Sequence, residues 1–198
     1  MRLLAAATCL LAWLFAIAPA RAQPADDEPA TPAAAEVRRF ALLVGANDGG
    51  RERVRLHYAN SDADAVADVL RNIGGVMASD LIQLRDPTPE DLDQAFEDMA
   101  AKLRAASSGG ARTQLLFYYS GHSDERGLLL GGERVLYGAL RKQVQAVPAD
   151  VRIAILDSCA SGAFTRAKGG TKKPPFLAGS ASSVEGHAFL TSSSANEA

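Results

Sequence analysis

The sequence predicts an α/β fold, in which a mainly parallel β-sheet is covered by helices on both faces. Apolar runs that stop abruptly at glycine or at a polar loop are typical of buried parallel strands. Segments with one apolar helical face alternate with these runs along the chain. Such alternation favours right-handed crossovers and a three-layer α/β/α arrangement. With 198 residues, 47% of them hydrophobic, the chain is long enough for one sizeable core.

The predicted strands are short apolar runs. Two of them, Gln114–Tyr119 and Arg152–Leu156, carry most of the argument because each is followed by glycine, serine or aspartate. The other predicted strands are Phe40–Gly45, the shorter Asp80–Arg85 and, near the end of the chain, His187–Leu190. A small hairpin arm is expected at Gly127–Gly132.

Three helices are predicted between the strands. Ser61 is expected to be the N-cap of the first, whose apolar face reaches Ile73 before Gly74 and Gly75 end it. Thr88-Pro89-Glu90-Asp91 is a strong start for the second, with proline at the first helical position and acids in the first turn. Its apolar face is Leu92, Phe96, Met99 and Leu103, and that of the third helix is Leu136, Leu140, Val144 and Val147.

Two short motifs place reactive side chains where predicted strands end. They are Tyr118-Tyr119-Ser120-Gly121-His122 and Leu156-Asp157-Ser158-Cys159-Ala160-Ser161-Gly162. Sites in open α/β sheets form at the carboxyl ends of strands, and an imidazole can take the proton of a thiol to give a nucleophilic thiolate. A lone Cys or His is more often a structural residue. Together, at two strand ends, His122 and Cys159 are a candidate catalytic pair.

These motifs resemble a known family. Tyr-Ser-Gly-His and Asp-Ser-Cys-Ala-Ser-Gly are similar to the His and Cys motifs of the caspase and metacaspase superfamily of cysteine peptidases. The match is to the bacterial, metacaspase-like branch, because animal caspases carry Gln-Ala-Cys instead. The resemblance implies a caspase-like fold from Val37 to Ala198 and endopeptidase activity on protein or peptide substrates. It also implies that the fold is incomplete at its C-terminus, since relatives continue with another strand and further helices.

The resemblance also assigns roles to individual residues. Cys159 would attack the peptide carbonyl, and His122 would manage the proton and give it to the leaving amine. The backbone N–H groups of Ser123 and Cys159 would hold the oxyanion. The family usually has glycine after the catalytic His, so Ser123 keeps the N–H but narrows the freedom of the backbone.

The substrate pocket is a further implication of the resemblance. In metacaspases a pocket lined with carboxylates selects Arg or Lys, and the matching residues here are Asp62, Asp157 and the nearby Ser120. The alternative for Asp62 is a first-turn acid favoured by the helix dipole.

The segment between Gly162 and Val184 is rich in Gly, Ser, Lys and Pro. A long segment of this kind in a compact domain is usually functional or disordered. In the superfamily it is the linker where many members cut themselves, which makes Arg166, Lys168 and Lys172 the candidate self-cleavage points. Lys173 is disfavoured because proline follows it. The alternative is an ordinary solvated basic loop.

The start of the chain predicts export. Residues 1–22 have the charged start, apolar middle and Ala-x-Ala site of a secretory signal peptide, and the apolar part is too short to favour a spanning helix. A retained N-terminal anchor is the alternative. Residues 23–36 predict a flexible linker, and 37–198 a peptidase domain. The mature protein is expected to be periplasmic or extracellular, without stable membrane insertion after signal removal.

Cysteine and charge limit the chemistry further. Cys9 leaves with the signal, so Cys159 is the only cysteine of the predicted mature chain and is a candidate reactive thiol. The net charge of −2 becomes −4 once Arg2 and Arg21 are removed, which gives no reason to expect nucleic acid as a partner. No metal or organic cofactor is expected, and calcium activation is left open.

Other chemistries fit the motifs poorly. A cysteine phosphatase needs Arg six positions after its Cys, where this chain has Thr165, with Arg166 one place too late. The Gly-x-Ser-x-Gly motif of serine hydrolases does not occur, and His57, His122 and His187 are too far apart in sequence for a metal motif. The remaining alternative is a non-proteolytic binding module that keeps the fold, although such members generally lack the His or the Cys.

Overall fold

The computed structural model describes residues 37–159, 164 and 186–192. It confirms a parallel sheet of five strands in the order β2-β1-β3-β6-β7, with helices packed on it. The strands are β1 (Val37–Ala46), β2 (Val76–Arg85), β3 (Arg112–Gly121), β6 (Val151–Asp157) and β7 (Gly186–Thr191), with an antiparallel hairpin of β4 (Gly127–Leu130) and β5 (Glu133–Leu136). The helices are α1 (Ala59–Asn72), α2 (Pro89–Ser108) and α3 (Tyr137–Ala146).

Side chains of β1 alternate between two apolar cores. Phe40, Leu42 and Val44 join the larger core with α2 and α3, whereas Ala41 and Leu43 join the smaller core under α1. All five are almost completely buried. Burying a side chain of Val, Leu or Phe size stabilises a fold by about 1.5–3 kcal/mol, so both faces of the sheet must be covered. The three-layer prediction is therefore confirmed.

The predicted N-cap of α1 is wrong. The helix begins at Ala59, and the Ser61 hydroxyl donates to the Tyr58 carbonyl at 2.8 Å from inside the first turn. The cap comes from a distant residue instead, because the Asn47 side-chain oxygen accepts from the Asn60 N–H at 3.2 Å. A contact between residues 13 positions apart leaves no local sequence signal.

The start of α2 is as predicted. The Thr88 hydroxyl accepts from the Asp91 N–H at 3.2 Å, and the Asp91 carboxylate accepts from the Thr88 N–H at 2.9 Å. This reciprocal capping box satisfies two backbone donors that the helix leaves unpaired. The predicted hairpin is confirmed as β4 and β5.

The predicted place of Leu136 on the apolar face of α3 is wrong. Leu136 precedes the helix as its extended N-cap, and its side chain is half exposed.

The register of the sheet brings the two motifs together. Ser120 of β3 pairs with Gly45 of β1 on one side and with Asp157 of β6 on the other. The loops that follow these three strands therefore leave the same edge of the sheet. His187 lies on β7 and pairs with Arg152 near the start of β6, so it is at the amino ends of the strands and away from the two motifs.

No helix within the described ranges is long and apolar enough to cross a membrane.

Candidate active site

One open cleft at the carboxyl edge of the sheet contains both motifs. Its volume is about 370 Å³. The predicted site residues Asp62, Ser120, His122, Asp157 and Cys159 all line it. The remaining lining residues are Leu56, His57, Tyr58, Ala59, Gly121, Ser158 and Ser192. The fold thus collects on one surface residues that are almost 100 positions apart in sequence.

The His122 ring is held by a loop of residues 47–58, which we call the β1–α1 loop. Its Nε2 atom lies 2.7 Å from the carbonyl oxygen of Val54. A carbonyl oxygen can only accept, so this hydrogen bond requires the proton on Nε2 and leaves the lone pair on Nδ1. Gly49 lies against the same ring, since a Cβ at that position would be 2.4 Å from His122 Cδ2. The imidazole is therefore fixed in orientation and tautomer, with one nitrogen able to act as a base.

The main chain at His122 is also fixed. Its carbonyl accepts from the Tyr119 hydroxyl at 2.6 Å and from the Leu129 N–H at 2.9 Å. Tyr119 is completely buried, and burial raises the pKa of its hydroxyl far above the ordinary value. The hydroxyl is therefore protonated at neutral pH and remains a hydrogen-bond donor.

Cys159 lies two residues beyond β6, and its side chain is an exposed free thiol. The Ser123 hydroxyl donates to the Cys159 carbonyl and lies 2.9 Å from the Ser158 hydroxyl. We call this set of contacts the serine clasp (Ser123, Ser158 and the Cys159 carbonyl). Ser123 and Ser158 are both buried. The serine clasp joins the loop that carries the His to the loop that carries the Cys.

The backbone N–H of Ser123, the predicted oxyanion donor, points away from the hairpin. Ser123 opposes Leu128 in an isolated antiparallel bridge, whose two hydrogen bonds run from Asp124 N–H to Gly127 and from Leu129 N–H to His122. Ser123 is therefore the non-hydrogen-bonded member of the pair, so its N–H points away from β4. This leaves the N–H available on the side of the loop opposite the hairpin.

The two carboxylates of the predicted pocket have hydroxyl partners on β3. The Ser120 hydroxyl donates to Asp62 and the Tyr118 hydroxyl donates to Asp157, each at 3.4 Å. Burial, together with the negative charges of Asp157 and Asp62, raises the pKa of Tyr118 to about 12, against a hydrogen bond from Ser120 that lowers it. Because Asp62 and Asp157 line the same cleft, the two carboxylates form one negative region at the end of β3.

A second cavity of about 470 Å³ adjoins the first. Both cavities are lined by His122 and Cys159. The second is otherwise lined by Arg53, Ser123, Asp124, Glu125 and Arg126. The candidate pair is therefore open to a cavity on two sides.

Several contributors were not predicted from the sequence. The sequence does not predict the hydrogen bond from Tyr118 to Asp157, the contact of Gly49 with the His122 ring or the hydrogen bond from the Ser123 hydroxyl. The Val54 carbonyl has no sequence signal, because every residue has one. A glycine-rich turn directly after a predicted strand, Asn47-Asp48-Gly49-Gly50, was the one available indication of a close approach.

The candidate self-cleavage points Arg166, Lys168 and Lys172 lie outside the described residues. Within the part of the chain that the structure describes, no three His, Cys, Asp or Glu side chains converge on a possible cation site.

A known protein family matches most of the chain. The sequence model of the caspase domain of peptidase family C14 matches residues 38–197. The chain therefore belongs to this family of cysteine peptidases, and the fold is the caspase-like α/β fold. Peptidases act on protein substrates, which agrees with the open cleft. No curated protein matches the chain significantly.

Proposed function

We propose that this protein is an exported cysteine endopeptidase that uses Cys159 and His122 and cleaves after Arg or Lys. The observation that carries the proposal is one cleft that holds a thiol, an imidazole with a fixed tautomer and two carboxylates. The family match supports the peptidase class. The apolar start of the chain and its Ala-x-Ala site support export to the periplasm or the medium.

The chemistry follows from the His122 tautomer. Nδ1 accepts the proton of the Cys159 thiol, and the thiolate attacks the peptide carbonyl to form a C–S bond. The imidazolium then carries protons on both nitrogens, and the Val54 carbonyl still accepts from Nε2. The N–H groups of Ser123 and Cys159 receive the negative oxygen. When the C–N bond breaks, His122 gives its Nδ1 proton to the leaving amine, and water later hydrolyses the thioester.

Specificity is proposed to come from Asp62 and Asp157. A guanidinium or ammonium entering the cleft would meet both carboxylates, and hydrogen bonds between charged groups are about twice as strong as neutral ones. The Ser120 hydroxyl donates a hydrogen bond to Asp62 and the Tyr118 hydroxyl donates one to Asp157, which orients the two carboxylates. An aspartate in the substrate would be repelled at the same position.

The experiment that tests this proposal uses full-length protein and fluorogenic peptides that differ only in the residue before the scissile bond. Arg and Lys peptides should be cleaved, Asp and Ala peptides should not, and Cys159→Ala should cleave none. Preferential cleavage after Asp would contradict the proposed specificity. Cleavage of none by the wild-type protein would favour the non-proteolytic binding module.

The same specificity extends to the chain itself. Arg166, Lys168 and Lys172 would be cut in a wild-type preparation, and mass spectrometry should find new ends after one of them. The Cys159→Ala protein should stay whole under the same conditions. Equal nicking of both would point to a contaminating protease.

A further inference from the structure

We propose that Asp86 is a positioning residue for His122, because its carboxylate fastens the β1–α1 loop that contacts the imidazole. The inference deepens the proposed function and rests on it. Asp86 touches neither the thiol nor the cleft; it would act through the loop alone.

The contacts of Asp86 reach both ends of the loop. One carboxylate oxygen accepts from the backbone N–H groups of Asn47, at 2.6 Å, and Asp48, at 3.1 Å. The other oxygen accepts from the Asn60 side chain at 3.0 Å and from Arg55 at 3.1 Å. A single side chain therefore joins the residues where the loop leaves β1 to those where it enters α1.

The two groups that fix the imidazole lie between these anchor points. Gly49 follows Asp48 directly, and Val54 precedes Arg55 directly. Both neighbours donate to Asp86. Any shift of Asp48 or Arg55 would therefore move the surface that Gly49 presents to the ring or the carbonyl that accepts from Nε2.

Hydrophobic burial contributes little to holding this loop. Residues 51–55 are all exposed, and the Val54 side chain is 83% exposed. Other polar contacts assist, since the Leu56 N–H donates to the Asn47 carbonyl at 2.8 Å and the Gly131 N–H to the Asp48 carbonyl at 3.0 Å. The exposed middle of the loop is therefore held mainly by polar contacts, and Asp86 makes four of them with residues at the two ends.

The backbone of Asp86 is also unusual. Its φ angle is +46°, and Asp86 is the one non-glycine residue with a positive φ in the described part of the chain. Its own N–H donates to the Gly45 carbonyl at 2.8 Å, at the end of β1. Asp and Asn tolerate this left-handed conformation better than most residues because their side chains bond locally. The position thus keeps a carboxylate where the backbone alone would favour glycine.

The charge of Asp86 is stabilised as well. Burial works to raise the pKa, but the hydrogen bonds from Asn60, Asp48 and Asn47, with the Arg55 charge, bring the pKa below its ordinary value. The carboxylate is therefore ionised at any pH at which an imidazole can act as a base.

Asp86→Asn is the informative substitution. It keeps the shape and tolerates the same φ, but it loses the charge and replaces one accepting oxygen by a donor. Asp150→Asn is the matched control. Asp150 also accepts from a backbone N–H, that of Thr113 at 2.6 Å, but it lies directly before β6, at the amino ends of the strands and away from the cleft. Thermal unfolding of both variants measures the general loss of stability.

Two measurements decide the proposal. With an Arg peptide, Asp86→Asn should lose at least ~10-fold in kcat with a small change in KM, because misplacing a catalytic group by about 1 Å can cost about 100-fold. Asp150→Asn should keep its kcat within about twofold. The ¹⁵N spectrum of the His122 ring, recorded in the Cys159→Ala background and assigned with His122→Gln, should show the Nε2–H tautomer in the parent and a mixture of tautomers after Asp86→Asn.

An unchanged tautomer in Asp86→Asn would overturn the proposal, and so would a kcat loss equal to that of the control. The spectrum requires no catalysis, so it decides the positioning role even where the wild-type protein cleaves nothing. An inactive wild-type protein with the expected tautomers would contradict the proposed function and leave the role of Asp86 supported.

Discussion

The Val54 carbonyl oxygen and His122 Nε2 are 2.7 Å apart, so a main-chain group orients the candidate catalytic imidazole. In Ser-His-Asp enzymes a carboxylate performs this task and also stabilises the imidazolium. A neutral carbonyl provides orientation with less electrostatic support. The orientation of the imidazole therefore depends on the backbone geometry of the β1–α1 loop and not on the identity of the side chain at position 54.

The first prediction concerns Gly49. A methyl group there would lie 2.4 Å from His122 Cδ2, closer than real Cβ contacts, so Gly49→Ala must displace the ring or the loop. We expect kcat to fall about 10- to 100-fold with KM little changed. Gly138→Ala is the control, since a Cβ at that helical position meets nothing within 4 Å. Equal activity of the two variants would show that the ring is not held by Gly49.

The second prediction concerns the serine clasp. Ser123→Ala removes the hydroxyl that donates to the Cys159 carbonyl but keeps the backbone N–H. Without that bond the nucleophile loop loses its link to the His loop, so we expect kcat to fall roughly 10-fold, in line with one buried hydrogen bond. Ser108→Ala removes an exposed hydroxyl at the end of α2 and serves as the control. A wild-type kcat in Ser123→Ala would show that the serine clasp does not contribute to catalysis.

The third prediction concerns the carboxylate pair. Asp62→Asn and Asp157→Asn should each lower kcat/KM for Arg peptides by about 10- to 100-fold, the range expected for a hydrogen bond to a charged group. Tyr118→Phe should have a smaller effect, because it leaves the charge of Asp157 in place. Measuring an Arg peptide beside its citrulline analogue separates charge from shape. If the analogue is cleaved equally well by the wild-type protein, the pocket does not recognise charge.

The fourth prediction links pH to stability. Asp124 and Asp150 both have pKa values below the ordinary value of an aspartate. At Asp124 burial is outweighed by hydrogen bonds from Arg134, Arg126 and Gly127, and at Asp150 the bond from Thr113 N–H dominates. A lowered folded-state pKa gives stability that is present above pH ~4 and lost as pH falls through the folded value. Asp150→Asn should therefore narrow the difference in unfolding free energy between pH 7 and pH 3, measured by urea titration. The same difference in unfolding free energy in the variant and the wild-type protein would contradict the lowered pKa of Asp150.

The sequence predicted the layers of the fold because local patterns determine them. The capping box at Thr88 and the apolar face at Leu92, Phe96 and Met99 required only neighbouring residues, and the structure agrees. The predicted cap of α1 at Ser61 is wrong because Asn47 supplies the cap across a loop. Contacts between distant residues, which include the Val54 carbonyl and the carboxylate of Asp86, depend on the folded register and leave no periodic signal.

The candidate site was predictable to a similar extent. His122 and Cys159 each end a strand-like run, so their meeting followed from parallel strands with adjacent ends. Gly49 and Ser123, which contact the His122 ring and the Cys159 carbonyl, could not be predicted from the sequence, because a glycine or a serine in a turn has many ordinary explanations. Their roles became visible only with distances to named atoms.

Covalent labelling with a peptidyl acyloxymethyl ketone that carries Arg at its reactive end would test whether Cys159 is the nucleophile of a site for basic residues. We predict one adduct, located by mass spectrometry on Cys159, that is absent in Cys159→Ala, strongly slowed in His122→Ala and outcompeted by an Arg peptide. The matched reagent with Asp should label far more slowly. Labelling of His122→Ala at the wild-type rate, or faster labelling by the Asp reagent, would contradict the account of a His-activated thiol beside a pocket for basic residues.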